Sequence, residues 1–197
     1  MSAEQRPRFT MDVLTWHPWL ETIDDTGASP EQAALVAEVA PSPDSRAYYA
    51  LLAHDLPALR KRTALFNAIM YGPRGVRRSD RELAAVAASL INGCVYCTSI
   101  HARRYAQLTK ETTAIQRLLD DGVEAAIGER ERAVMDYAGK LTNDPAGMTA
   151  SDLTPLRAAG LSDMEILDVT HATAIFAWAN RLMQTLGEGV PSADASA

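Results

Sequence analysis

The sequence predicts an all-α fold, on three observations. Alanine is abundant while β-branched residues are sparse, no segment of convincing length alternates apolar with polar residues, and helix-start signals recur along the chain. At 197 residues the chain is long enough to bury one core without staples. Its 47% hydrophobic and 22% charged residues are globular values, away from disordered or fibrous compositions.

Ser29-Pro30-Glu31-Gln32 supplies an N-cap, a proline at the first helical position and a glutamine at the third, ahead of Ala33 to Ala40. Ser42-Pro43 opens a second helix carrying Tyr48, Tyr49, Leu51 and Leu52. Pro57 starts a third, with Leu59, Thr63, Phe66, Ala68 and Met70 inside and Gly72 as its stop. Ser79-Asp80-Arg81-Glu82 reads as a capping box before the stripe Leu83, Val86, Ala87 and Leu90. Asn92-Gly93 breaks that helix, and the next runs from about Cys94 to Leu108. Glu111 to Asp120, Glu129 to Leu141 and Thr149 to Ala159 follow, with Asn143 to Gly147 as a loop. A capping box at Ser162-Asp163-Met164-Glu165 opens a long apolar helix reaching about Leu186.

About eight helices are therefore expected in one domain over residues 28–187. Residues 1–27 read as an N-terminal arm, whose Trp16-His17-Pro18-Trp19 is too aromatic to stay loose in water and should pack on the body or on a neighbouring subunit. Residues 188–197 are small and polar and read as a frayed tail.

Composition narrows the function classes. A net charge of −6 leaves no general basic surface for nucleic acid or an anionic membrane. No apolar run approaches the roughly 20 residues that span a bilayer, and the first residues lack the apolar core of a secretory signal. A cytoplasmic protein is expected.

The two cysteines stand three apart as Cys94-Val95-Tyr96-Cys97. In a reducing compartment a lone dithiol is seldom a structural staple, and redox or metal chemistry is the usual reason for it. On a helix, Cys97 and His101 lie one turn apart on the same face. Cys94 falls at the first turn, where unpaired N–H groups and the helix dipole favour a thiolate. Such a pair reacts with an oxidant, passes through a sulfenic acid and closes to a disulfide. The bland alternative is two small cysteines packing as apolar residues. Glu82 likewise has two readings, the last member of a helix cap or a participant in proton transfer.

Other residues carry weaker signals. His171 on the long helix reads as a satisfied core histidine, and His17 and His54 have no identifiable partner. Arg60-Lys61-Arg62 and Arg77-Arg78 read as solvated charge runs. Gly72-Pro73-Arg74-Gly75 lacks the spacing of a phosphate-cradling loop. Asn180-Arg181 could support the core or a subunit contact.

The spacing Glu82-x11-Cys94-x2-Cys97-x3-His101 resembles the signature of AhpD-like alkylhydroperoxidases, within the carboxymuconolactone decarboxylase superfamily. Arg81-Glu82-Leu83-Ala84, Asn92-Gly93-Cys94-Val95-Tyr96-Cys97, His101-Ala102 and Phe176 to Leu182 are similar to it too, so the resemblance covers roughly residues 45–187. It implies an AhpD-like all-α fold, assembled as a homotrimer or homohexamer. It also implies that Cys97 meets a peroxide, that Cys94 resolves the sulfenic acid, and that Glu82 and His101 relay protons. Tyr96 stands where some members carry a histidine, so the relay has no second imidazole there.

The leading expectation is thus a thiol peroxidase acting on organic hydroperoxides or hydrogen peroxide, needing no metal, flavin or haem but an external dithiol reductant. The superfamily's other activity, cofactor-free lactone decarboxylation, does not need a cysteine pair. A third reading is a non-catalytic metal-binding protein using Cys94, Cys97, His101 and Glu82, since thiolate and imidazole suit zinc.

Overall fold

Helix caps written in the sequence organise most of the chain. The computed structural model describes residues 8–192, and among them are ten α-helices and one two-stranded sheet. In order they are β1 (Leu14–Pro18), α1 (Ile23–Thr26), α2 (Pro30–Val39), α3 (Arg46–Leu52), α4 (Leu56–Tyr71), α5 (Arg78–Asn92), α6 (Val95–Thr109), α7 (Thr113–Asp121), α8 (Glu129–Asn143), α9 (Thr154–Ala158), α10 (Asp163–Thr185) and β2 (Gly187–Pro191). Short 3₁₀ turns at Pro43–Ser45, Pro145–Gly147 and Ala150–Leu153 join some of them. No described helix is long and apolar enough to cross a membrane.

The expected caps at Ser29 and Ser162 form. Gln32 N donates to Ser29 Oγ at 3.2 Å while Ser29 N donates to Gln32 Oε1 at 2.9 Å. Ser162 N donates to Glu165 Oε2 at 2.8 Å at the head of α10. Gly93 ends α5 with φ 76°, a left-handed cap that glycine adopts without a Cβ penalty, and this lets Cys94 begin α6 directly.

The capping box expected at Ser79 is corrected. α5 begins one residue before it, with Arg77 at the cap position and no side-chain cap bond. Asp80 and Glu82 are both buried on basic partners instead. Arg130 Nη2 donates to Asp80 Oδ2 at 2.7 Å, and Arg78 Nε to Glu82 Oε1 at 2.6 Å. Charge-assisted bonds of this kind are stronger than a neutral cap, so they decide where the carboxylates point.

The tail expected to fray from about Glu188 is instead ordered as far as Pro191, and the all-α fold carries one small sheet among the described residues. β2 pairs antiparallel with β1, from Leu14 opposite Pro191 to Pro18 opposite Gly187, and so ties the two ends of the described chain together. Trp16 anchors the pair. It is 1% exposed, its Nε1 donates to Met183 O at 3.0 Å, and its ring meets Tyr48 edge-on at 5.5 Å. Gly187 is required by that approach, because a Cβ there would sit 2.4 Å from the Trp16 ring. The aromatic arm therefore packs on the body through Trp16, while Trp19 stays exposed. Residues 1–7 of the arm and 193–197 of the tail lie outside the described residues.

α5 is the central helix, packed on α6, α8 and α10. One apolar cluster fills this bundle, including Leu83, Val86, Tyr105, Val134 and Phe176. A second gathers the N-terminal layer, including Trp16, Leu35, Tyr48 and Leu59, and it takes in Cys94, Cys97 and Met183. The dithiol lies where the N-terminal layer closes over the bundle.

Candidate functional site

The helical period and the Gly93 break bring the expected residues together. Glu82 is fully buried on α5, and its Oε2 lies 2.5 Å from His101 Nδ1 on α6. Its other oxygen accepts from Arg78, one turn earlier. Burial alone would push the Glu82 carboxyl up; the His101 ring and the Arg78 guanidinium outweigh it and hold the group below its ordinary value. A carboxylate only accepts, so the Nδ1 proton belongs on His101 and Nε2 is left as the acceptor. Phe176 on α10 packs edge-on against the imidazole at 4.3 Å and fixes its plane.

Cys94 and Cys97 are free, buried thiols. A hydrogen bond from Cys97 lowers the Cys94 pKa, against the opposing effect of burial. The same bond, with burial, raises Cys97 well above the ordinary thiol value, and only Arg62 pulls the other way to any extent from outside the pair. Cys97 is therefore the harder of the two thiols to deprotonate. Cys97 and His101 open on one cavity of about 80 Å³, whereas Cys94 borders a separate groove of about 340 Å³ beneath β1 and β2. The two sulfurs have different approaches. Among the described residues no group of three or more His, Cys, Asp or Glu side chains is placed to hold a metal ion, and Glu82 is committed to His101 and Arg78.

Residues 57–140 match the carboxymuconolactone decarboxylase family. The fold is shared with an uncharacterised peroxidase-related protein of Ralstonia eutropha JMP134, described as an alkylhydroperoxidase AhpD core. The two chains are 27% identical, with a TM-score of 0.71 over 85% of this chain and 92% of that one. The segment 57–140 is similar to the carboxymuconolactone decarboxylase family, and the fold is AhpD-like. A peroxidase-related protein of Silicibacter sp. TM1040 has the same fold at 24% identity, with a TM-score of 0.68 over 98% of this chain and 96% of that one. So has the debrominase Bmp8, at 16% identity and a TM-score of 0.65 over 89% and 91%. No curated protein matches the chain.

Three basic side chains depart from the expectation drawn from sequence. Arg78, expected in a solvated run, is the second partner of Glu82 and stacks on Tyr71 at 4.1 Å. Arg62, expected likewise, turns inward over Phe66 at 4.5 Å and donates to Tyr49 Oη at 3.3 Å, lining the Cys97 cavity. A signal was there: Arg62 shares the stripe of Leu59, Phe66 and Ile69, the buried or half-buried face of α4. His171 is exposed rather than in the core, because it falls on the outward stripe with Leu167, Ala174 and Trp178. Tyr96 spends its hydroxyl on Asp44 O at 3.2 Å, which binds α6 to the N-terminal layer, and burial pushes its pKa far above neutrality. Asn180 is buried and bonded to Ser89 at 3.2 Å, a core contact.

Proposed function

We propose that the protein is a thiol-dependent peroxidase that reduces an organic hydroperoxide or hydrogen peroxide through Cys97 and Cys94. The observation that carries this reading is that Cys97 and His101 share one small cavity while buried Glu82 grips the far nitrogen of the imidazole. Because Cys94 and burial make Cys97 the harder thiol to deprotonate, it needs a base, and His101 Nε2 supplies it. The sulfur then attacks the terminal peroxide oxygen and the O–O bond breaks. The alkoxide takes the proton from His101 and leaves as an alcohol, or as water from hydrogen peroxide. Cys97 is oxidised by two electrons to the sulfenic acid. Glu82 holds the tautomer and stabilises the imidazolium, as a buried carboxylate does behind other catalytic histidines.

Cys94, already the lower-pKa sulfur, attacks Cys97 as the thiolate. Hydroxide departs and leaves as water with the proton that Cys94 gave up, and the disulfide closes. An external dithiol restores the pair by exchange, its own sulfurs becoming the disulfide. The groove beneath β1 and β2 offers it an approach to Cys94. A free dithiol of this kind suits a reducing cytoplasm, and the superfamily resemblance supports a homotrimer or homohexamer. Lactone decarboxylation draws on neither sulfur, so nothing in the dithiol geometry favours it.

Thiol counting before and after one equivalent of peroxide tests the reading. Wild type should lose two thiols. Cys94→Ser should consume one peroxide and stop at a dimedone-reactive Cys97, and Cys97→Ser should barely react. A dimedone adduct on Cys94 in the Cys97→Ser protein, formed at the wild-type rate, would reverse the two roles. Two thiols that survive peroxide in the folded wild type would end the peroxidase reading.

A further inference from the structure

Two openings meet at Arg62. On one side is the Cys97–His101 cavity; on the other, an apolar groove of about 520 Å³ runs between α4 and α10, walled by Leu65, Ile69 and Trp178. The polar side chains of the groove are Lys61, Arg62 and His171, and no carboxylate lines it. The cavity repeats the bias, with Arg62, Arg104 and the Glu82-paired Arg78 in its lining and again no Asp or Glu. In a chain of net charge −6, this is segregation of charge towards one paired opening, the arrangement that concentrates anions.

Arg62 is built to receive one. Its guanidinium is clamped over Phe66 and Tyr49, and no carboxylate pairs with it among the described residues. Its Nε is buried without a hydrogen-bond partner of good geometry. Buried donors left unsatisfied are uncommon and call for a reason. A fixed guanidinium with unspent N–H groups matches a planar carboxylate, and an adjoining apolar groove matches a hydrocarbon body.

We propose that this paired opening binds an amphipathic carboxylate, its apolar body along Leu65, Ile69 and Trp178 and its carboxylate on Arg62 and Lys61. Resting on the peroxidase reading, the substrate class is then a hydroperoxide carried on an apolar carboxylic acid, presented to Cys97 from the Arg62 side. The binding itself needs no peroxide.

Calorimetric titration of the reduced protein with octanoate and with 1-octanol tests this without turnover. Octanoate should bind about tenfold more tightly or better, the discrimination that one charge-assisted hydrogen bond supplies. Arg62→Met should abolish the difference. Lys61→Met, at an exposed position that cannot threaten folding, should reduce it. Equal affinities in wild type, or a preference that survives in both variants, would overturn the proposal. So would a groove closed by a second copy, seen as octanoate-insensitive protein whose Trp178→Arg variant falls in mass. Octanoate discrimination in a protein that ignores peroxide would uphold the anion site and end only the peroxidase reading. Peroxidase activity indifferent to octanoate would do the reverse.

Discussion

Glu82 is the residue on which the site chemistry and the stability of the chain meet. Its carboxylate bonds His101 and Arg78 from a fully buried position. Glu82→Gln keeps the shape but not the charge, and His101→Ala removes the proposed base. Each should slow peroxide consumption by about 10²-fold, as loss of a general acid–base group does, measured by stopped flow with the dithiol fully reduced. The same carboxyl makes a pH prediction. Its folded pKa is depressed below the ordinary 4.5, so its contribution to stability is present above that value and is lost as the pH falls through the folded pKa. Thermal melts from pH 6 downwards should show a shallower acid limb in Glu82→Gln than in wild type. Arg78→Met should begin its acid loss at higher pH, because the carboxyl then lacks one of the two cations that lower it. A limb unchanged in both variants would show that Glu82 is not what the acid transition reads. Much of this was legible in sequence: one helical turn joins Cys97 to His101, and the family spacing points to Glu82. The inward turn of Arg78 was not, since two adjacent arginines look solvated until their partners are known. The useful cue was the four-residue step from Arg78 to Glu82.

At the scale of elements, the helices whose ends are decided locally were the readable ones. Ser29, Ser162 and Gly93 act on backbone groups within a turn of themselves, so their effect is written beside them. β2 is different. Gly187-Glu188-Gly189-Val190-Pro191 has no strand pattern of its own and is a strand only because β1 lies beside it, having started more than 160 residues earlier. Ser79 failed as a cap for the same kind of reason, since Arg130 and Arg78 reach its neighbours from elsewhere in the fold or from outside the expected box. The hairpin-like pair roofs the Cys94 groove, so it carries an element-level prediction. Trp16→Ala should cost about 3–5 kcal/mol, the usual range for a buried aromatic truncated to alanine, and lower the melting temperature by about 10 °C. Gly187→Ala should loosen β2 without touching the bundle, because its Cβ collides with the Trp16 ring. Hydrogen exchange should then show faster exchange in β1 and β2 and unchanged protection in α5. Equal loss across both would mean that the strands and the bundle unfold as one unit.

At the scale of the whole fold, exposed apolar side chains cluster among the described residues on at least two faces, which lie on different elements. One is the α4–α10 groove, where Leu65 is 56% and Trp178 42% exposed. Another flanks β1, where Val13 is 37%, Trp19 58% and Leu20 55% exposed. Basic side chains edge the first and suit it to an anionic ligand. The second has the indole Nε1 of Trp19 bonded to Glu188 at 3.3 Å, which holds a large ring out in the solvent. A ring fixed in that position gains by burial against a second copy, since clustered exposed apolar side chains mark association surfaces. The face flanking β1 is therefore the one through which the proposed homotrimer or homohexamer should form. Light scattering at micromolar concentration should return a multiple of the 21.3 kDa chain mass. Trp19→Arg with Leu20→Glu should lower that mass while leaving the helical circular dichroism unchanged, because neither side chain belongs to the core. Wild type at the single-chain mass would remove the assembly altogether. An undiminished mass in the double variant, with a fall in Trp178→Arg, would assign the contact to α4 and α10 and leave the amphipathic carboxylate no groove to enter.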